Sequence, residues 1–420
     1  MNKKIKVLTI SDHPLAPSGV GTQTRYFIES LLKTGRYKVV SFGGAMKHDK
    51  HDPIKTKEWE DDWIIYPVDG YGTQDMVRSV VRQEKPDIVW FMTDPRFWAW
   101  LWQIEHEVRA LCPMVYYHVW DNYPYPTYNR KWYMSNDVVC SISKVTDDIV
   151  ANVAPEVERH YIPHAVDHNV FKKLPPSDVM NSKISTLGSH AKDKFVFLWN
   201  NRNARRKQSG SLMFWFKDFL DKVGHENACL VMHTEPHDPN GQDLVQIINH
   251  LDLHEGQILL STQKYPPSDL AMIYNVADCT INVSDAEGFG LATLESLACK
   301  TPIIATMTGG LQEQVTNGEE WFGIGLEPSS KAIIGSQDIP WIYEDRLNGE
   351  DVVEALIKMY NMTPEEREHM GERGYQHVMM NYNFENFEKK WVETMDGIHE
   401  RHGSWDTRKG YKSWDLVEIK

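Results

Sequence analysis

The sequence has no long apolar run, few cysteines and no excess of positive charge, and each absence closes off a class of protein. No segment reaches the roughly 20 consecutive apolar residues that a bilayer-spanning helix needs, although apolar residues make up 41 % of the chain. The five cysteines, Cys112, Cys140, Cys229, Cys279 and Cys299, are scattered and odd in number. That pattern is neither a disulfide framework nor a zinc cluster; it predicts reduced thiols inside apolar elements and no metal site. With 59 acidic against 45 basic residues the net charge is −14. Such a balance argues against nonspecific coating of nucleic acid and leaves a local basic groove open. Low-complexity tracts and internal repeats are absent. Met1-Asn2-Lys3-Lys4 leads straight into the apolar run Ile5–Ile10 without a signal-peptide core, so the expected location is the cytoplasm.

What is present is alternation. At 420 residues the chain is too long for one ordinary core and suggests two domains. In the first half, apolar runs read as strands at Ile5–Ile10, Lys38–Phe42, Trp63–Tyr66, Asp87–Met92, Met114–His118 and Val138–Ile142. A second set follows at Phe195–Trp199, Cys229–His233, Gln257–Ser261, Asp278–Val283 and Pro302–Ala305. Helical or irregular segments separate them, which predicts α/β architecture with parallel sheets wrapped by helices. After Phe171, Lys172-Lys173-Leu174-Pro175-Pro176 and the polar residues to Asp193 read as a linker. The expected division is therefore 1–175, 190–385 and a helical end with a tail, 386–420. Phe384, Phe387, Trp391 and Met395 make an apolar stripe at helical spacing. Two Rossmann-like, doubly wound domains facing across a cleft would bind ligands at the carboxyl ends of their strands.

The densest signal is Ser284-Asp285-Ala286-Glu287-Gly288-Phe289-Gly290-Leu291-Ala292-Thr293-Leu294-Glu295. Cys279–Val283 reads as a buried strand, and Leu291, Leu294, Leu297 and Ala298 have helical spacing. Gly288 and Gly290 thus lie where a strand feeds a helix N-terminus, whose free N–H groups and dipole favour a phosphate. At about 1.5 Å of rise per residue, Glu295 lies roughly 7 to 8 Å beyond the turn, within reach of a ribose on that phosphate. Glu287 faces the other side. The bland alternative, two solvated acids beside an ordinary loop, leaves Glu295 as a charge in the otherwise apolar Leu294-Glu295-Ser296-Leu297-Ala298.

The chain resembles the retaining GT-B glycosyltransferases of family 4, whose second domain carries an E-x7-E motif in this strand-loop-helix context. Glu287 and Glu295 match its glutamates. Around them, Pro266-Pro267-Ser268-Asp269-Leu270, Tyr274-Asn275-Val276-Ala277-Asp278, Thr301–Thr306, Gly309-Gly310 and Glu313 also look like the family. The similarity is strongest between about residues 195 and 325. It implies a nucleotide-diphosphate sugar, UDP- or GDP-linked, as donor, with Gly288, Phe289, Gly290 and Leu291 at the phosphate and Glu295 at the ribose. It also implies a C-terminal helix that returns to the first domain.

Three other stretches bear on chemistry. Asn201-Arg202-Asn203-Ala204-Arg205-Arg206-Lys207 follows a predicted strand, where cations would neutralise a diphosphate and the charge that develops as it leaves. The resembled family has an Arg followed about five residues later by a Lys. Arg202 and Lys207 match, with Arg205 or Arg206 as an alternative register. Pro14-Leu15-Ala16-Pro17-Ser18-Gly19-Val20-Gly21 follows the first strand, but a third fingerprint glycine would fall at Thr24, so a nicotinamide cofactor is not expected. By resemblance, Gly19 and Gly21 approach the diphosphate and sugar from the first domain. His118, at the end of Met114-Val115-Tyr116-Tyr117-His118, matches a family histidine that contacts the donor sugar; a lone histidine there is otherwise a structural partner. His48, Asp49, His51 and Asp52 resemble metal ligands but occupy a polar loop and should face solvent.

The chain contains no D-x-D, the metal-clamping signature of the other large glycosyltransferase fold. No cofactor is expected. Arg202, Lys207 and the helix N-terminus can neutralise the diphosphate without a divalent cation, so metal-independent transfer is expected; the resemblance implies retention by front-face attack, the leaving phosphate accepting the acceptor's proton and Glu287 holding sugar hydroxyls. The acceptor stays open. Aromatics at Arg96–Trp102 and Tyr123–Tyr133 suit core packing, a sugar platform or base stacking. A glycan or glycolipid hydroxyl, a hydroxymethylated DNA base, and a silent nucleotide-sugar binder or other GT-B enzyme are the three readings. The DNA reading needs a positive stripe, for which Arg401–Lys420 offers five basic against three acidic residues. Oligomeric state is not legible.

Overall fold

The computed structural model describes residues 3–414, which fall into two compact units. The first holds the described residues up to Ala165, Gln337–Pro340 and those from Glu385 on; the second holds Val166–Ser336 and Trp341–Phe384.

The first unit is built on strands β1 (Ile5–Asp12), β2 (Tyr37–Gly44), β3 (Ile54–Lys55), β4 (Trp63–Pro67), β5 (Ile88–Met92), β6 (Met114–His118), β7 (Val138–Ser141) and β8 (Glu158–Tyr161). Their order is β3-β4-β2-β1-β5-β6-β7-β8, parallel throughout except for β3 against β4. β5 and β6 are buried along their whole length, as expected for strands covered on both faces. The chain winds outward from β1 through β2 and β4, then restarts on the other side at β5. A crevice therefore opens at the carboxyl ends of β1 and β5, where successive connections leave in opposite directions.

The helix Phe384–His402 closes this unit with most of the predicted stripe: Phe387, Trp391 and Met395 are buried, as is Ile398, while Phe384 is half-buried. The Trp391 ring lies 4.7 Å from Phe27, 4.9 Å from Tyr117 and 6.0 Å from Trp90 between centroids. Beyond the helix, Ser404 Oγ donates to Asp87 (2.6 Å), Trp405 Nε1 to the Pro86 carbonyl (2.9 Å) and Arg408 to Asp137 (2.6 Å). Arg401 pairs with Glu158. The basic tail thus spends two of its cations on carboxylates of its own unit, which removes them from the positive stripe that a DNA acceptor requires. Residues 415–420 lie outside the described residues.

The second unit carries a parallel sheet of β9 (Phe195–Asn200), β10 (Ala228–His233), β11 (Ile258–Ser261), β12 (Cys279–Asn282), β13 (Ile303–Thr306) and β14 (Gly323–Leu326), in the order β11-β10-β9-β12-β13-β14. Its switch point lies between β9 and β12. A hairpin of β15 (Ser330–Ile334) and β16 (Ile342–Arg346) is added outside the sheet.

Several elements escaped the apolar pattern. β8 reads Glu-Arg-His-Tyr because it is a half-exposed edge, and β14 carries two glycines. A Cβ on Gly323 would fall 2.5 Å from the Ile303 carbonyl oxygen, so close strand approach replaces a side chain there. The segment expected as a linker instead contains the helix Pro176–Leu187, opened by Pro in its first turn. Only Leu187 of that helix is buried, which is why its sequence looks unstructured.

Candidate active site

In the second unit, the loops leaving β9 and β12 lie side by side at the switch point. The 3₁₀ turn Arg205–Lys207 ends the first loop, and its Arg206 carbonyl accepts the Asp285 N–H at 2.8 Å. The Arg206 guanidinium donates to the Ala286 carbonyl. Lys207 Nζ forms an ion pair with Glu287 Oε2, with side chains only 8 % and 14 % exposed. Burial alone would raise the Glu287 carboxyl, but the Lys207 and Arg206 cations outweigh it and hold the group below its ordinary value.

The glycine turn is braced from behind. Gly290 caps the helix Leu291–Ala298 at φ +93°, and a Cβ there would lie 2.5 Å from Leu311 Cδ2, so glycine is required twice over. Gly310 donates its N–H to the Glu287 carbonyl at 3.0 Å. Gln314 Nε2 donates to the carbonyls of Phe289 (2.7 Å) and Gly290 (3.1 Å), while Phe289 packs edge-on against Tyr382. The amides of the first turn after Gly290 have no intrahelical acceptor, as at any helix N-terminus.

Glu295 follows one turn along that helix and is half-buried. Its Oε2 accepts the Tyr274 hydroxyl at 2.8 Å, and that hydroxyl accepts Asn200 Nδ2 at 2.8 Å. Burial pushes the Glu295 carboxyl up to about 7, against the pull of the Tyr274 hydrogen bond.

Of the cations expected at the phosphate, Lys207 reaches Glu287 and Arg202 does not. Arg202 is 65 % exposed and bonded to Asp238 at 2.6 and 3.2 Å. Arg206, the alternative register, is the guanidinium beside Glu287. Arg205 turns the other way, donating to both oxygens of Glu344 on β16 at 2.8 and 2.5 Å. Arg346 joins Glu344 (2.8 Å) to Asp285 (2.6 Å), so the hairpin ties down both loops. Burial raises Asp285 to about 6, opposed by the Gln208 amide and Arg346. Glu344 and Arg346 left no sequence signal, lying on an irregular charged stretch far from the motif.

In the first unit, Gly19 and Gly21 open the helix Gly19–Leu32 at the carboxyl end of β1, beside that unit's own switch point. Ser18 Oγ accepts the Gly21 N–H and donates to Asp12. Gly19 is exposed; at Gly21 a Cβ would fall 2.7 Å from the His13 carbonyl oxygen. His118 is fully buried. Its Nε2 meets the Tyr133 hydroxyl at 2.8 Å, the ring faces the Thr146 backbone, and burial lowers its pKa to about 3. Its neighbours Tyr133 and Thr146 belong to the helices Arg130–Met134 and Lys144–Val153. His48 bonds the Gly43 carbonyl at 2.9 Å, Asp49, His51 and Asp52 are exposed, and no group of side chains among the described residues is arranged to hold a metal. No helix among them is long and apolar enough to cross a membrane.

Residues 188–377 match the family described as glycosyl transferases group 1. Over 128 residues the chain is 31 % identical to D-inositol 3-phosphate glycosyltransferase of Acidothermus cellulolyticus, a match that covers 28 % of this chain and 29 % of that protein. The chain spans less than two thirds of the length of the first curated relatives it matches. Its fold is similar to sucrose-phosphate synthase from Thermosynechococcus elongatus, with a TM-score of 0.74 at 16 % identity over 94 % of this chain and 100 % of that one. Anabaena HepE, solved in complex with UDP and glucose, superposes with a TM-score of 0.69 at 15 % identity over the same shares. The architecture is GT-B, two Rossmann-like domains.

Proposed function

With residues 188–377 carrying a glycosyl transferases group 1 domain on a GT-B fold, we propose that this chain is a retaining glycosyltransferase of family 4. It moves a sugar from a UDP- or GDP-linked donor to the hydroxyl of a glycan or glycolipid. The observation that carries the reading is the buried Lys207–Glu287 pair, flanked by Arg206 at the open end of the helix Leu291–Ala298. Two cations beside one carboxylate, near a helix N-terminus, suit a sugar diphosphate.

The chemistry follows from the charges. Lys207 and Arg206 stabilise the negative charge that grows on the leaving diphosphate, the step at which one such donor is worth about 10²–10³ in rate. Glu287, kept ionised by the same cations, accepts hydrogen bonds from sugar hydroxyls. Glu295 accepts them from the ribose. Attack comes from the face the leaving group departs, and the leaving phosphate takes the acceptor's proton. Gly19 and Gly21 are assigned to the transferred sugar, where an absent side chain permits close backbone approach. Because fixed cations neutralise the diphosphate, turnover should survive EDTA.

The test is a screen of UDP- and GDP-sugars with simple sugars, lipid extracts and hydroxymethylated DNA as acceptors, read by mass spectrometry, with the anomeric configuration of any product assigned by NMR. Retention with a sugar or lipid acceptor is the expected result. An inverted product, transfer to DNA alone, or no nucleotide release from any donor refutes the proposal.

A further inference from the structure

We infer that Tyr274, held by Asn200, is a positioning residue for donor recognition: it occupies one carboxylate oxygen of Glu295 and leaves the other to read the ribose hydroxyls. The inference rests on the proposed role of Glu295 and goes beyond it by naming what aims that carboxylate.

Three features fix the direction of the relay. Asn200 is the last residue of β9, and its Nδ2 can only donate. The Tyr274 hydroxyl, with that lone pair engaged, sends its single proton to Glu295 Oε2 at 2.8 Å. Tyr274 cannot swing away: it is fully buried, its ring stands edge-on to Phe171, and its carbonyl accepts Thr301 Oγ1 at 2.7 Å. Three elements thus meet on one oxygen: the end of β9, the helix Pro267–Val276 and the helix Leu291–Ala298. Glu295 has three side-chain torsions, and a carboxylate anchored in this way has already lost the freedom that a ligand would otherwise have to quench.

Among the described residues, the Tyr274 hydroxyl is the side-chain hydrogen-bond partner of Glu295. The titratable groups facing Glu295 are Tyr274 and, one turn along its own helix, the buried Cys299. Lys173 bears on Cys299. Tyr274 is therefore what holds the carboxylate in place, and a phenyl ring at 274 would keep the packing while removing the bond.

The experiment measures affinities of the full chain for UDP and GDP and for their 2′,3′-dideoxy counterparts by calorimetry. Wild type should prefer the ribonucleotide it accepts by about tenfold, the scale of a hydrogen bond to a charged group. Tyr274→Phe should lower ribonucleotide affinity by most of that factor and leave the dideoxy form within twofold. Asn200→Ala should move it in the same direction by a smaller factor, and serves as the deciding variant if Tyr274→Phe does not fold. Equal losses for both sugars, or an intact preference for ribose, overturn the positioning role. An intact preference in Glu295→Ala instead overturns the ribose role of Glu295 beneath it, so the two failures are separable.

Discussion

The two switch points of this molecule are made of opposite materials. In the second unit the crevice between β9 and β12 is lined by charge: Lys207 on Glu287, Arg206 beside them, and Asp285 braced by Arg346. In the first unit the loop after β1 is a compact backbone turn, closed by Ser18 on the Gly21 N–H, and the strand end at β6 hides a neutral histidine. Both arise from the same winding, yet the nearly buried ion pair, Lys207 with Glu287, lies in the second. A buried charge persists only where a partner offsets its desolvation, and under the proposed function the charged crevice is where the anionic donor is handled.

The largest effect that would sharpen this contrast is structural. Trp391→Ala should destabilise the first unit by about 3–5 kcal/mol in urea denaturation, while the nucleotide affinity of the folded protein stays unchanged. A parallel loss of affinity would mean the units do not divide the labour as described. Next comes Lys207→Met, expected to lower transfer about 10²–10³-fold in single-turnover assays. His118→Ala, by contrast, should cost about 1–3 kcal/mol of stability by stranding the Tyr133 hydroxyl, with turnover of the folded enzyme within a few-fold of wild type. If the histidine variant loses as much rate as the lysine variant, the contrast collapses.

A milder test uses Gly19→Leu. A side chain at this exposed position should suppress transfer about tenfold and leave nucleotide binding within twofold, because it blocks approach to the sugar and not to the nucleotide. Equal losses would move Gly19 into the binding pocket.

The smallest effects are in pH, and they run in opposite senses. His118 and His164 are buried with pKa values lowered to about 3. In the unfolded chain they take up protons below about 6.5, so their share of stability is intact above that pH and is lost as the pH falls. Glu295 is raised to about 7. Between about 4.5 and 7 the folded state keeps a proton that the unfolded state has released, so this group's contribution declines as pH rises through that window. Each slope is at most about 1.4 kcal/mol per pH unit per group. Chemical denaturation between pH 5 and 8 should show the alkaline slope reduced in Glu295→Gln and the acid slope reduced in His118→Ala. Nucleotide affinity should rise from pH 6 to 8 as Glu295 ionises, and a flat profile would remove its charge from the site.

The sequence by itself determined the alternation of strands and helices and the turn at Gly288–Leu291. Strands buried on both faces must be continuous apolar runs, and a strand feeding a glycine turn into a helix is specified by a dozen neighbouring residues. The stripe of Phe387, Trp391 and Met395 was equally legible, since helical spacing is a local property. Partners were decided only by the tertiary structure. That Glu287 meets Lys207 and Arg206 and not Arg202, that Arg205 crosses 139 positions to Glu344, and that the Tyr274 hydroxyl reaches Glu295 follow from which strands lie adjacent at the switch point. The burial of His118 is likewise tertiary, set by Tyr133 and the Thr146 backbone against its ring. Periodicity and motif spacing encode the backbone path through nearest neighbours along the chain, whereas a side-chain pair across 80 residues is fixed by strand order, and strand order is a property of the packed whole.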